Sequence, residues 1–395
     1  MSDIVHRSCP VCGGDGRRLL HRQRFLDGPM GNGYDVVVCT HCGGGFADGI
    51  PSQTEMDRYY TGQSKYTYDH ANGAESEWDL KRFEAIVDQI DPHLRSHDIS
   101  ILDIGCATGG LLSVFKKRGF KKVMGVDPSP ICAAVAGRLY SLTVRTATLS
   151  QLGNWNEGFD LILMVGVLEH ISEIKAEVRA ASQLLNPGGL LYCAVPDVEG
   201  LADCPNAPYQ QFSIEHVNFF SINTLGRLME ECGLAEGQRW NWTIEWRQGV
   251  WEPIASGLYQ RGNRSKSLYD TTTEPALIRY LAFSEKGDRK ILSTVAPLIA
   301  NQEPIFVWGA GTLARRLMAN TAFGQINILA FVDANPHIQG QELAGRPILK
   351  PTDLVGRIEP ILVCSFSFAV EISTAVRHQY GLPNRILSLA GEAAS

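Results

Sequence analysis

No run of about 18 apolar residues occurs in this 395-residue chain, and its opening residues, MSDIVHRSCPVC, lack the apolar core of a secretion leader. Neither a membrane span nor an exported protein is expected, and the chain reads as cytoplasmic. Positive charge is not in excess either. Lys and Arg number 36 against 42 Asp and Glu, a net charge of −6, so no global field gathers nucleic acid or an anionic membrane. Internal repeats of 20 to 50 residues and low-complexity tracts are missing, which argues against solenoid architectures. Cysteine, by contrast, is not scarce. Four of the ten cysteines fall in two CxxC pairs and the others stand singly in apolar segments, which in a reducing compartment reads as one metal site plus buried thiols. With 44% hydrophobic and 20% charged residues, the composition is that of a folded protein. The length exceeds what one core usually supports, so two or three domains are expected.

What is present begins with those pairs. Cys9-Pro-Val-Cys12 and Cys39-Thr-His-Cys42 each put two thiols on one tight turn, so both sulfurs can reach one ion at roughly 2.3 Å, and two such turns complete a tetrahedron. The 26 residues between the pairs leave room for a hairpin whose return strand is Tyr34 to Val38. Four cysteine ligands leave no open coordination position, so the expected ion is a structural Zn2+. Zinc ribbons also bind nucleic acid, but this segment has no dense Lys/Arg face, and nucleic acid is not an expected partner.

A second signal follows. Ile99 to Ile104 is a short β-type run leading into Gly105-Cys106-Ala107-Thr108-Gly109-Gly110 and an amphipathic helix from Leu111 to Arg118. Strand, glycine turn and helix form the carboxyl edge of a parallel sheet, where open α/β folds bind nucleotides. Two acids bear on the ligand. Asp103 stands two residues before Gly105, where a carboxylate can pair with a methionine amino group and would repel a pyrophosphate. Val123 to Val126 then form a strand ending in Asp127, 22 residues after Gly105, an acid suited to both ribose hydroxyls. A neutral-to-acidic pocket favours a sulfonium cation, S-adenosylmethionine, over a dinucleotide.

DIGCATG and VMGVDPS resemble the first two motifs of the class I methyltransferases. The resemblance covers roughly 76–240. It implies that Asp103, Gly105 and Gly109 line the methionine part of S-adenosylmethionine, that Asp127 holds the ribose, and that Cys106, Ala107 and Thr108 of the same turn also bind the cofactor. It further places Thr148 and Leu149 near the adenine and makes Phe159 to Val165 the fourth strand, with Val165 at its cofactor end. Leu184 to Val195 resembles the late helix, turn and strand of that fold.

The donor methyl is already activated, so the protein must align an acceptor and, where needed, take its proton. Glu169-His170 follow the fourth strand, and Glu215-His216 lie in QQFSIEHVNFFS beyond the fifth. A histidine suits a general base near neutral pH and a neighbouring carboxylate can orient it. Together, the cysteine pairs, this core, EHVNFFS and the trailing α/β unit resemble the sugar C-methyltransferases that act on nucleotide-linked 4-keto deoxysugars. That resemblance implies His216, beside Glu215, as the base that deprotonates the carbon next to the ketone. It also implies His170 and an N-terminal tyrosine nearby, matched by Tyr66 or Tyr68 of KYTYDH. Ser213 stands where the family commonly has a tyrosine, and EHVxxFS occurs in methyltransferases with other acceptors. O-methylation of a sugar or glycan is the alternative.

Pro304 to Trp308 lead into Gly309-Ala310-Gly311-Thr312 and a helix to Asn320, followed by a strand, Ile328 to Val332, ending at Asp333, 24 residues after Gly309. Taken literally, this outline predicts an NAD(P)-binding reductase fused to the methyltransferase. The family resemblance implies instead that Gly309, Gly311, Thr312 and Asp333 hold the nucleotide of the substrate, phosphate oxygens being accepted at the helix N-terminus. Pro360 to Phe368 lacks the ending expected of close sugar C-methyltransferases. The expected architecture is α/β: a zinc-binding knuckle domain (1–75), a Rossmann-like class I methyltransferase sheet of seven strands (76–240), a connector (241–289) and a C-terminal Rossmann-like unit (290–395); within the connector, Arg247 to Asp288 reads as a hairpin or extended link with helix resuming near Glu274. The expected partner is a small molecule, a nucleotide-linked sugar, and not a membrane.

Overall fold

The computed structural model describes residues 6–63, 74–148, 151, 155–204, 206–262 and 268–389. The N-terminal part contains strands β1 (Arg17–Arg24), β2 (Gly33–Cys39) and β3 (Gly45–Asp48), then helices α1 (Gln53–Gln63) and α2 (Glu77–Ile90). Strands and helices next alternate: β4 (Ser100–Ile104), α3 (Gly110–Lys117), β5 (Lys122–Asp127), α4 (Pro130–Tyr140), β6 (Thr143–Thr146), β7 (Phe159–Val165), α5 (Ile174–Gln183) and β8 (Leu185–Pro196). After β9 (Asn218–Phe219) and α6 (Ile222–Glu231) comes a long hairpin, β10 (Leu234–Arg247) and β11 (Val250–Arg261), then α7 (Thr273–Asn301). The last stretch holds β12 (Ile305–Trp308), α8 (Thr312–Asn320), β13 (Ile328–Val332), β14 (Glu342–Leu343), β15 (Arg346–Leu349), β16 (Ile361–Val363), α9 (Ala369–Thr374) and β17 (Ile386–Ser388).

The chain divides into two compact units. One comprises 1–20, 36–204 and 215–278, the other 21–35, 205–214 and 279–395. In the first, a seven-stranded sheet runs in the order β10-β11-β8-β7-β4-β5-β6. β4, β5, β6, β7 and β8 pair in parallel, and β11 and β10 close one edge antiparallel. The central strands read as continuous apolar runs because both faces are covered by helices. Ile101 and Leu161 point to one buried cluster, Leu102, Ile104 and Ile162 to the other. Helix α2 starts at Ser76, whose hydroxyl accepts the Asp79 amide, and turns Ile86, Val87 and Ile90 toward the core. The connecting segment 241–289, expected as a hairpin or extended link with helix resuming near Glu274, holds much of the β10–β11 hairpin and the first part of α7, which starts at Thr273. Its signal is weak in sequence because only one face of β10 is apolar. Trp240, Trp242 and Ile244 pack inward while Asn241 and Thr243 face solvent.

In the second unit a sheet of order β14-β15-β13-β12-β16-β17 is parallel except for the β14–β15 pair. Ile305 and Val307 pack on one face, Phe306 and Trp308 on the other. Among the described residues, no helix is long and apolar enough to cross a membrane.

Candidate active site and cysteine cluster

β4 and β5 run side by side with Asp103 opposite Gly125, so their carboxyl ends form one sheet edge. The chain leaves β4 through Gly105 at φ +72°, a conformation that favours glycine. A Cβ there would meet Val167 Cγ2 at 2.7 Å, so the glycine also lets the turn after β7 pack against it. Asp127 ends β5. Its two carboxylate oxygens accept the amides of Ala107, at 3.0 Å, and Ser129, at 2.9 Å. The acid expected on a ribose thus also clasps the glycine turn to the start of α4. Asp103 is 3% exposed, and burial, then the neighbouring charge of Asp127, holds its carboxyl well above the usual range. Burial raises Asp127 too, against the pull of its two amide donors. A buried carboxylate beside a second acid is unfavourable until a cation joins it, and the ammonium of S-adenosylmethionine fits that need at Asp103.

Of the other expected cofactor residues, Cys106 and Thr108 are buried in the turn, and Thr108 donates its hydroxyl to Glu75. Gly109 caps α3, Val165 ends β7, and Thr148 lies two residues past Thr146, the β6 partner of Asp127. Leu149 lies outside the described residues.

Beyond β7 the chain makes a single 3-10 turn, Leu168–His170. The EHVN segment is fastened to it: Val217 N–H donates to Glu169 O at 2.7 Å, and the Asn218 amide donates to Leu168 O and Ile171 O, each at 2.7 Å. This brings the two sequence-distant histidines together, His170 and His216 lying 4.7 Å apart between ring centroids, edge to face. Ligand atoms of Glu169, His170 and His216 all lie within 4.8 Å of one another. His170 Nδ1 is 3.2 Å from Glu215 O and 3.0 Å from the Tyr60 hydroxyl. Tyr59 donates its hydroxyl to Glu215 Oε1 at 2.9 Å. Burial, followed by the charge of Glu215, holds the Tyr60 hydroxyl well above its ordinary range, so it keeps its proton. Tyr66 and Tyr68, the expected tyrosines, lie outside the described residues. Tyr59 and Tyr60 escaped the sequence reading. Their signal was their spacing from the buried Met56, three and four residues on, which sets them on the inner face of α1. Gln53 anchors that helix by accepting the amide and hydroxyl of Ser172, at 2.9 and 2.8 Å.

The four cysteines meet as the spacing predicted. Sγ atoms of Cys9 and Cys42, and of Cys12 and Cys39, are 3.6 Å apart, and all four lie within 4.8 Å. Ligands of one tetrahedral ion at about 2.3 Å would stand roughly 3.8 Å apart. Amides of Gly14, His41 and Gly44 point at Cys12, Cys39 and Cys42, each at 3.4 Å, as donors to thiolates would. The donor set and its spacing fit a tetrahedral cation.

In the second unit the C-terminal glycine turn repeats the device of the first. Asp333 accepts the Ala310 amide on one oxygen and the Asn335 amide on the other, both at 2.9 Å, and burial raises its carboxyl. Thr312 opens α8 after Gly311. Gly311 has φ −82° and, among the described residues, no atom within 4 Å of the place a Cβ would take, so neither conformation nor the described packing requires glycine there.

Residues 78–236 match the family model described as a methyltransferase domain, and 301–386 match the one described as C2185-like, N-terminal. The chain is 35% identical over 107 residues to the ubiquinone biosynthesis O-methyltransferase of Agrobacterium fabrum, covering 26% of this chain and 42% of that protein. Against the enzyme of the same name from Cereibacter sphaeroides (strain ATCC 17025) it is 39% identical over 102 residues, covering 24% of this chain and 40% of that one. The chain therefore spans about two fifths of the length of these curated relatives. Among solved structures, magnesium protoporphyrin IX methyltransferase from Synechocystis with bound S-adenosylhomocysteine aligns at 13% identity and a TM-score of 0.41, covering 52% of this chain and 99% of that one. Sheet order, glycine turn and paired acids, with the family match over 78–236, define a class I S-adenosylmethionine-dependent methyltransferase domain.

Proposed function

We propose that the chain is a methyltransferase that transfers the methyl of S-adenosylmethionine to carbon in a nucleotide-linked keto-deoxysugar, with His216 as the base. The observation that carries this reading is the histidine pair at the cofactor edge, backed by Glu169 and Glu215 and faced by Tyr59 and Tyr60. The donor supplies an electrophilic methyl on a cationic sulfur, so the residues need only prepare a nucleophile. A ketone acidifies the carbon beside it. His216 takes that proton, the resulting enolate carbon forms the bond to the methyl, and the C–S electron pair leaves on sulfur as the neutral thioether. Tyr60 holds His170 and Tyr59 holds Glu215 during the transfer. Cys9, Cys12, Cys39 and Cys42 would hold one structural Zn2+. Gly309, Gly311, Thr312 and Asp333 would hold the substrate nucleotide, and the open space over Gly311 is where a phosphate can approach the backbone.

The curated relatives carry the name O-methyltransferase, which favours oxygen methylation as the second reading. One experiment separates the two. The protein is incubated with methyl-labelled donor and a panel of nucleotide-linked keto-deoxysugars, and the site of label is read by mass spectrometry and NMR. Label on carbon, with solvent deuterium entering that carbon, supports the enolate. Label on oxygen without exchange replaces it with the second reading. His216→Asn should leave donor affinity intact and lower turnover by about 10²- to 10⁴-fold; an unchanged rate removes His216 from the chemistry.

A further inference from the structure

Arg7 stands two residues before Cys9, outside every motif read from the sequence, and its side chain reaches the turns that carry both histidines. Its Nε donates to Ala47 O at 2.8 Å and Nη1 to Ser172 O at 3.2 Å. Nη2 donates to Val217 O at 2.6 Å and to Asn218 Oδ1 at 2.9 Å. Val217 follows His216, Ser172 lies two residues after His170, and Asn218 is the residue whose amide nitrogen binds Leu168 O and Ile171 O. One planar group therefore ties β3, the Leu168–His170 turn and the EHVN segment. Its own place is fixed by the Arg7 amide donating to Asp48 Oδ1 at 2.9 Å, by its packing over the Phe46 ring at 5.3 Å, and by the Cys9 turn that follows.

We propose that Arg7 is a positioning residue for methyl transfer, setting the separation and orientation of His170 and His216 through Ser172, Val217 and Asn218. Three of the four acceptors are backbone carbonyls, which can only accept, so the role needs a fork of N–H donors. A lysine has the charge, but its three N–H donors radiate from one nitrogen and cannot span all four acceptors as the planar fork does. The effect on turnover rests on the reading of His216 as base; the effect on the imidazoles does not. Displacing a base by about an ångström costs on the order of 10²-fold in rate.

The test uses the full chain labelled with 13C at histidine Cε1, His170→Asn and His216→Asn serving to assign the two resonances. Arg7→Gln is expected to move both resonances and their pH titration, Arg7→Lys to return them part of the way, and both to keep S-adenosylhomocysteine affinity by calorimetry. Unmoved resonances in Arg7→Gln would overturn the proposal. So would loss of S-adenosylhomocysteine affinity alongside the shifts, which would make Arg7 a general fold contact. A normal rate in His216→Asn with shifted resonances in Arg7→Gln would instead refute the base while leaving the positioning intact.

Discussion

Glu177, on α5, is a buried acid whose surroundings oppose its ionisation. It is 5% exposed, its Oε2 has no hydrogen-bond partner among the described residues, and burial, then the charges of Asp57 and Glu173, pushes its carboxyl from 4.5 up to about 7. In the unfolded chain it ionises near 4.5; in the folded chain it keeps its proton to about 7. The folded state therefore binds the extra proton, and stability falls as pH rises between these values. At 1.36 kcal/mol per pH unit the full loss is at most about 3 kcal/mol. Glu177→Gln cannot ionise, so it should gain about 2–3 kcal/mol on wild type between about pH 5 and pH 8, whatever constant offset the buried amide adds. Urea denaturation followed by tryptophan fluorescence at the two pH values measures this difference. A pH-independent effect of the substitution would refute the reasoning. The site is also involved, because Asp57 sits on α1 with Tyr59 and Tyr60, and ionised Glu177 repels it.

Asp103 holds its proton more tightly than usual until a cation arrives, so donor affinity should rise with pH above the ordinary carboxylate range. Asp103→Asn should bind about 10-fold more weakly and lose that pH dependence, as calorimetry across pH would reveal; a parallel pH profile would count against it. Tyr60→Phe removes the hydroxyl at His170 Nδ1 and should slow turnover about 10-fold with little change in donor affinity, steady-state kinetics deciding. Metal analysis of purified protein should find one Zn2+ per chain, lost in Cys39→Ser together with several degrees of thermal stability. Gly311→Val meets open space at an allowed φ, so melting temperature should hold while nucleotide-diphosphate binding weakens; intact binding would move the nucleotide elsewhere.

Much of the framework was legible in the sequence because it is local. CxxC spacing, a strand running into glycines, and an acid at the end of the next strand each depend on neighbours within about 25 residues. What escaped depends on returns of the chain. The second unit recruits 21–35 and 205–214, where Tyr34 donates its hydroxyl to Ser213 O and Gln23 donates to Phe212 O, and no periodicity announces such pairings. Likewise, Glu169-His170 and Glu215-His216 stood out as dipeptides, but that Asn218 and Arg7 would lock them together needed the fold. Asp127 was expected as a ligand-binding acid, and its clasp on Ala107 and Ser129 was not visible because both partners are backbone amides.

The measurement that bears most directly on the whole account is calorimetric titration of the purified protein with S-adenosylmethionine. One binding event per chain is predicted, competed by S-adenosylhomocysteine and weakened at least 10-fold by Asp127→Ala, whose loss removes both the ribose acceptor and the clasp on the glycine turn. No binding of either compound to the intact chain would contradict it.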